Sequence, residues 1–170
     1  MAKAMTKHDA QLLPLSFTLN GRLQELDVEP HELLLDVVRE RLGLTGAKRS
    51  CDVQVCGACT LLIDGRPVSA CTTLAFEVRG RSLLTIEGLA EKDGKLHPLQ
   101  QAFIEHGGFQ CGFCTPGMIL AAKALLDENP APSEAELKHF MHGNICRCTG
   151  YKKIIESIMA AAKTMRGTSY

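Results

Sequence analysis

The sequence predicts an α+β chain: a small sheet with a cysteine-rich loop, followed by a run of helices. Three observations carry this. Short runs of alternating apolar residues crowd the first half, and two pairs of them flank Asn-Gly or Asp-Gly, a strong local hairpin signal. Beyond residue 95, apolar residues recur at helical spacing, punctuated by Gly, Pro and a Ser-x-x-Glu start. Eight cysteines fall in two tight groups, four in each half.

The elements follow in order. Residues 1–13 read as a flexible tail. "LSFTLNGRLQELDVE" is a hairpin turned at Asn20-Gly21. "PHELLLDVVRERLGL" places Leu33, Leu34, Val37, Val38 and Leu42 on one face of a helix that Gly43 stops. After the cysteine loop, "CTLLIDGRPVSAC" is a second hairpin, turned at Asp64-Gly65, and "RSLLTIEGL" adds a strand. Several strands, one helix and a cysteine loop suggest a β-grasp unit over residues 14–91, with the boundary in Glu91 to Lys95. Residues 92–170 read as a helical unit. Its four helices are "HPLQQAFIEHG", "TPGMILAAKALLDEN" with Pro116 in the first turn, "SEAELKHFMHG" with a Ser133/Glu136 capping box, and "YKKIIESIMAAAKTM". This unit repeats itself: "FIEHGGFQCGFCTPGMILAA" can be laid over "FMHGNICRCTGYKKIIES". Two helix pairs so related predict a four-helix unit with pseudo-two-fold symmetry, each pair bringing two cysteines to a shared centre.

Composition excludes several classes. Lys+Arg and Asp+Glu both number 19, so no basic face for nucleic acid or acidic membrane is implied. No apolar run is long enough to span a bilayer, and the N-terminus lacks the apolar stretch of a signal peptide. A cytoplasmic location is expected. In that compartment clustered thiols read as metal ligands rather than disulfides.

Cys51-x4-Cys56-x2-Cys59, with Cys71 after a longer gap, has the plant-type ferredoxin spacing for a [2Fe–2S] cluster. Small Gly57 and Ala58 let the backbone approach the sulfurs and aim N–H groups at them. The second set, Cys111-x2-Cys114 and Cys146-x-Cys148, is less diagnostic, because structural zinc also accepts four cysteines in two close pairs. His106 and His142 read as helix-end residues, since eight cysteines suffice for two clusters. Asp64 is a turn residue, Glu134 and Glu136 are first-turn charges, and Arg147 is either solvated or a partner contact. No nucleophile–base pair, phosphate-cradling loop or paired carboxylates stand out, so substrate chemistry is expected elsewhere.

"CGACT", "QCGFCTPG" and "GNICRCTGY", in this order, make the chain resemble the iron–sulfur subunit of the molybdenum hydroxylases, the xanthine oxidase family. The resemblance runs from about Leu15 to Met165. It implies a ferredoxin-like domain with one [2Fe–2S] cluster on Cys51, Cys56, Cys59 and Cys71. A second cluster would lie in a helical domain on Cys111, Cys114, Cys146 and Cys148. It further implies that Gln110 and Cys148 approach the pterin of a molybdopterin cofactor on a large subunit, and that the ferredoxin-like cluster faces FAD on a medium subunit. A dimer of heterotrimers is the common assembly. The chain departs from many relatives in one place: the first x4 gap reads Asp52-Val53-Gln54-Val55, without glycine. A free-standing ferredoxin or a zinc-stabilised interaction module is the rival, although a free carrier is usually acidic and this chain is neutral.

Overall fold

The computed structural model describes residues 12–91 and 93–167. Strands β1 (Leu13–Leu19) and β2 (Arg22–Val28) pair antiparallel, from Leu13 opposite Val28 to Leu19 opposite Arg22. Alternation along β1 buries Leu15, Phe17 and Leu19. The turn uses Asn20 and Gly21, both in the left-handed region, the backbone that matches the twist of the flanking strands. Because Leu13 already pairs with Val28, β1 takes the last residue of the expected tail; residues 1–11 lie outside the described residues.

The expected first helix is present but not regular. A short α1 (Leu34–Asp36) widens into a π-helical turn (Val37–Arg41). Its carbonyls serve the following segment: Val37 O accepts from Leu42 N and Val38 O from Leu44 N, each at 3.0 Å. Arg39 Nη1 also donates to the carbonyls of Thr45 and Ala47, at 2.9 and 2.6 Å. The helix end is thus shaped by the chain that leads on to Cys51.

β3 (Thr60–Ile63) and β4 (Arg66–Ser69) form the second hairpin about Asp64-Gly65. β5 (Ser82–Leu84) lies parallel to β1 and antiparallel to β3. The order β2-β1-β5-β3-β4 gives a mixed sheet, as an α+β ferredoxin-like unit requires. Every residue of β3 is buried, because it is covered on both faces. Leu61 and Ile63 join the core of the sheet and first helix, while Leu62 packs on Leu120 and Ala124.

Those last two residues belong to α3 (Thr115–Glu128), one of four later helices with α2 (Pro98–Glu105), α4 (Glu134–Phe140) and α5 (Lys152–Gly167). At α4, Ser133 Oγ accepts from Glu136 N and Glu136 Oε2 accepts from Ser133 N, the reciprocal capping box expected. The helices share a second core that includes Leu99, Phe103, Met118, Leu137, Ile154 and Ile158. Leu89 belongs to this core and Leu84 and Ile86 pack against it, so packing changes hands before Glu91.

Candidate functional site

The first four thiols sit on the segment between the π-turn and the second hairpin. Asp52, Gln54 and Gly57 all take positive φ, at 55°, 60° and 67°. The curl this produces turns the amides of Val55 and Cys56 onto Cys51 Sγ, both at 3.4 Å. The Cys51 thiol is lowered to about 6, first by the Val53 amide and then by those of Cys56 and Val55. Cys59 is buried and pushed up to about 12 by that burial, with Cys71 against it. The hairpin register brings Cys71 there: Ala70 N donates to Cys59 O at 3.4 Å, one residue beyond the Thr60–Ser69 pair. The thiols therefore face each other in twos, Cys51 with Cys56 and Cys59 with Cys71.

The second four lie where two helix pairs turn. Cys111 and Cys114 stand between α2 and α3, with Cys114 at the N-cap of α3. Cys146 and Cys148 precede α5. Cys111 Sγ and Cys148 Sγ are 3.6 Å apart. Burial pushes Cys114 up to about 12, and Cys146 beside it adds to the shift. Burial also acts to raise the Cys146 thiol, but the Thr149 hydroxyl and the amides of Thr149 and Cys148 outweigh it and hold it below the usual value. Their distances to Cys146 Sγ are 3.2, 3.4 and 3.5 Å. Cys146 N donates in turn to Tyr151 Oη at 3.1 Å.

None of the eight cysteines is joined in a disulfide. Two thiolates on one tetrahedral metal, at about 2.3 Å each, stand ~3.7 Å apart. The Cys111–Cys148 separation fits that value, and it is far longer than a disulfide. Donated N–H groups on Cys51 and Cys146 suit anionic sulfur. The donor set thus fits thiolate-bound iron.

The two loops touch. Ile145 N donates to Cys56 O at 2.9 Å, and Asn144 Nδ2 to Gly57 O at 3.1 Å. The first turn of α3 rests on the same loop: a Cβ on Gly117 would lie 2.2 Å from Gly57 O, so only glycine fits there.

A family described as "[2Fe-2S] binding domain" matches residues 85–159, and one described as "2Fe-2S iron-sulfur cluster binding domain" matches residues 25–104. The nicotinate dehydrogenase small FeS subunit of Eubacterium barkeri is 48% identical, over 89% of this chain and 96% of its own length. The nicotine 6-hydroxylase small subunit of Paenarthrobacter nicotinovorans is 44% identical, over 92% and 93%. The chain belongs to the small iron–sulfur subunits of the molybdenum hydroxylase family. Solved structures agree with this small-subunit fold. Quinoline 2-oxidoreductase from Pseudomonas putida 86 superposes with a TM-score of 0.88 at 48% identity, covering 94% of this chain and 99% of that one. Aldehyde oxidoreductase from Desulfovibrio gigas gives 0.87 at 46% identity; there the match covers 91% of this chain and 17% of a much longer one.

In the small subunit, cysteines from separate stretches of the chain meet in pairs, Cys59 with Cys71 and Cys111 with Cys148. Gln110, Cys111 and Cys148 are exposed, Cys59, Cys71 and Cys146 buried, and Cys51, Cys56 and Cys114 half-buried. Large apolar side chains stand exposed beside the second set: Phe109, Phe113, Ile145 and Tyr151. Next to them a groove of about 1260 Å³ runs between α4 and α5, lined in part by Met141, Tyr151, Ile155 and Met159. His106 ends α2 and His142 lies in the turn after α4, as expected of helix-end residues. Sequence reasoning gave no role to Asn144, Thr149 or Tyr151. All three lie in the quoted "GNICRCTGY", and polar residues so close to thiols were the available signal.

Proposed function

We propose that this small subunit relays electrons one at a time through two [2Fe–2S] clusters, from a molybdopterin site on a large partner subunit to FAD or another acceptor. Cys51, Cys56, Cys59 and Cys71 hold one cluster; Cys111, Cys114, Cys146 and Cys148 hold the other. The observation that carries this is the facing of thiols in twos, with 3.6 Å between Cys111 and Cys148. Two irons ask for two pairs. When bound, a [2Fe–2S] cluster supplies a one-electron couple.

The chain's own residues do the remaining work. Amides of Val55 and Cys56 balance charge at Cys51, and those of Cys148 and Thr149 do so at Cys146. Burial of Cys59, Cys71 and Cys146 keeps water from those sulfurs. Gln110 and Cys148, both exposed, are presented to the pterin of the large subunit, within the apolar collar of Phe109, Phe113, Ile145 and Tyr151. Such a collar suits a buried subunit contact better than a free carrier. The working units are a ferredoxin-like domain over 14–91, turned toward a flavin subunit, and a helical domain over 92–170. The helical domain is read as two helix pairs related by an approximate two-fold axis. Substrate oxidation takes place on the large subunit, in a cytoplasmic dimer of heterotrimers. Iron and acid-labile sulfide analysis tests the core of the reading. About four of each per chain are expected from two clusters of two irons; one or two zinc ions and no labile sulfide would overturn it.

A further inference from the structure

We infer that Asn144, a residue of the helical half, sets the reduction potential of the cluster held by the other half on Cys51, Cys56, Cys59 and Cys71. The inference rests on the two-cluster reading above. Asn144 is 7% exposed and follows directly on the turn after α4. One residue separates it from Cys146, yet its amide is spent on the other loop. Asn144 Nδ2 donates to Gly57 O at 3.1 Å and reaches Thr60 Oγ1 at 3.4 Å. Gly57 O also accepts from Thr60 Oγ1 at 2.7 Å and from Thr60 N at 3.2 Å. Three donors thus fix one carbonyl between Cys56 and Cys59. The approach depends on glycine, since a Cβ on Gly57 would lie 2.4 Å from Asn144 Nδ2 and 2.6 Å from Gly143 O.

A trans peptide is planar, with its C=O and N–H pointing in opposite directions. Holding Gly57 O against Asn144 and Thr60 therefore fixes the peptide plane that carries the Ala58 N–H, between Cys56 and Cys59. The next peptide plane upstream is held likewise, because Cys56 O accepts from Ile145 N at 2.9 Å, and this plane carries the Gly57 N–H. Two successive peptides of the ferredoxin-like loop are aimed by two successive residues of the helical half. N–H groups aimed at cluster sulfurs favour the reduced, more negative state and raise the potential. In reduction the cluster takes one electron and gains one negative charge; no bond forms or breaks. Releasing the carbonyl lets the Ala58 N–H swing off and removes that favour. Asn144 is thus a positioning residue that acts through Gly57.

The test is a dithionite titration of the full chain, followed by electron paramagnetic resonance, on Asn144→Ala and Thr60→Val. Cys56→Ser and Cys114→Ser assign the two signals. Both test variants are expected to keep the parent's iron and sulfide. The midpoint of the ferredoxin-like signal should move to more negative potential, while that of the helical signal stays in place. That selectivity is the readout a general loosening would not produce, since Asn144 lies closer in sequence to the helical thiols. An unmoved ferredoxin-like midpoint, or a shift of the helical midpoint alone, would sink the inference. If Asn144→Ala does not accumulate, Thr60→Val decides alone, because it removes the shortest of the three donors. A parent chain without two clusters would instead bring down the two-cluster reading, which the metal analysis shows separately.

Discussion

Gln54 is held at φ +60° although it carries a side chain. Side chains crowd the backbone in this region, at a cost of about 1–2 kcal/mol per residue. The loop offsets part of that cost: Gln54 Oε1 accepts from Thr72 Oγ1 at 3.3 Å, and at Asp52, also left-handed, Oδ1 accepts from Arg49 Nη1 at 2.8 Å. Gln54→Val puts a β-branched residue where such residues are outliers, and is expected to destabilise the chain by about 1–2 kcal/mol in denaturant unfolding. Gln54→Gly, which accepts this backbone, is the control and should lose only the Thr72 contact. The cysteine groups were legible in the sequence because chelation fixes spacing along the chain. The aim of the loop peptides was not, because the Asn144–Gly57 contact joins residues 87 apart. Nor was it legible that Asp52 and Gln54, in a gap without glycine, would adopt the left-handed backbone that glycine favours.

The elements that announced themselves were those whose signals are local. Both hairpins turn at the Asn-Gly and Asp-Gly pairs, and α4 begins at its Ser133 cap. The π-helical turn was not legible, because the carbonyls that define it are shared with the loop beyond it. Local chemistry also gives α4 a pH dependence. The Ser133 hydroxyl, and then the Ser133 amide, hold the Glu136 carboxyl below its usual value. A carboxyl so depressed contributes stability that is present above its unfolded value, about 4.3, and lost as pH falls through the folded value. Thermal midpoints of the parent should thus fall more steeply below pH 4.3 than those of Glu136→Gln. Equal slopes would assign the cap no ionic part. Asp64 acts in the same direction in the second hairpin, where Ser82 N and then Arg81 lower its pKa, so Glu136→Gln should leave a residual slope.

At the scale of the whole molecule, the surface around Gln110 is the one we propose faces the large subunit. Gln110 is exposed, beside the exposed Cys111. A side-chain amide there offers two donors and an acceptor to a polar partner edge. Gln110→Ala is expected to keep both clusters and slow their reduction by substrate in the assembled complex, with about 1 kcal/mol lost per missing hydrogen bond. Rapid-mixing kinetics decide the point: unchanged reduction of both clusters, with normal assembly, would remove Gln110 from the route.

The double burial of β3 bears on how the chain is made. Leu62 finds its cover on α3, in Leu120 and Ala124, which are synthesised well after the sheet. A nascent chain that has reached residue 91 has every strand of the sheet, yet one side of its second hairpin lies bare to water. Bare apolar strand surface is what holdase chaperones bind and what neighbouring chains adhere to. The sheet therefore keeps an apolar face open until α3 has been made and can pack on it.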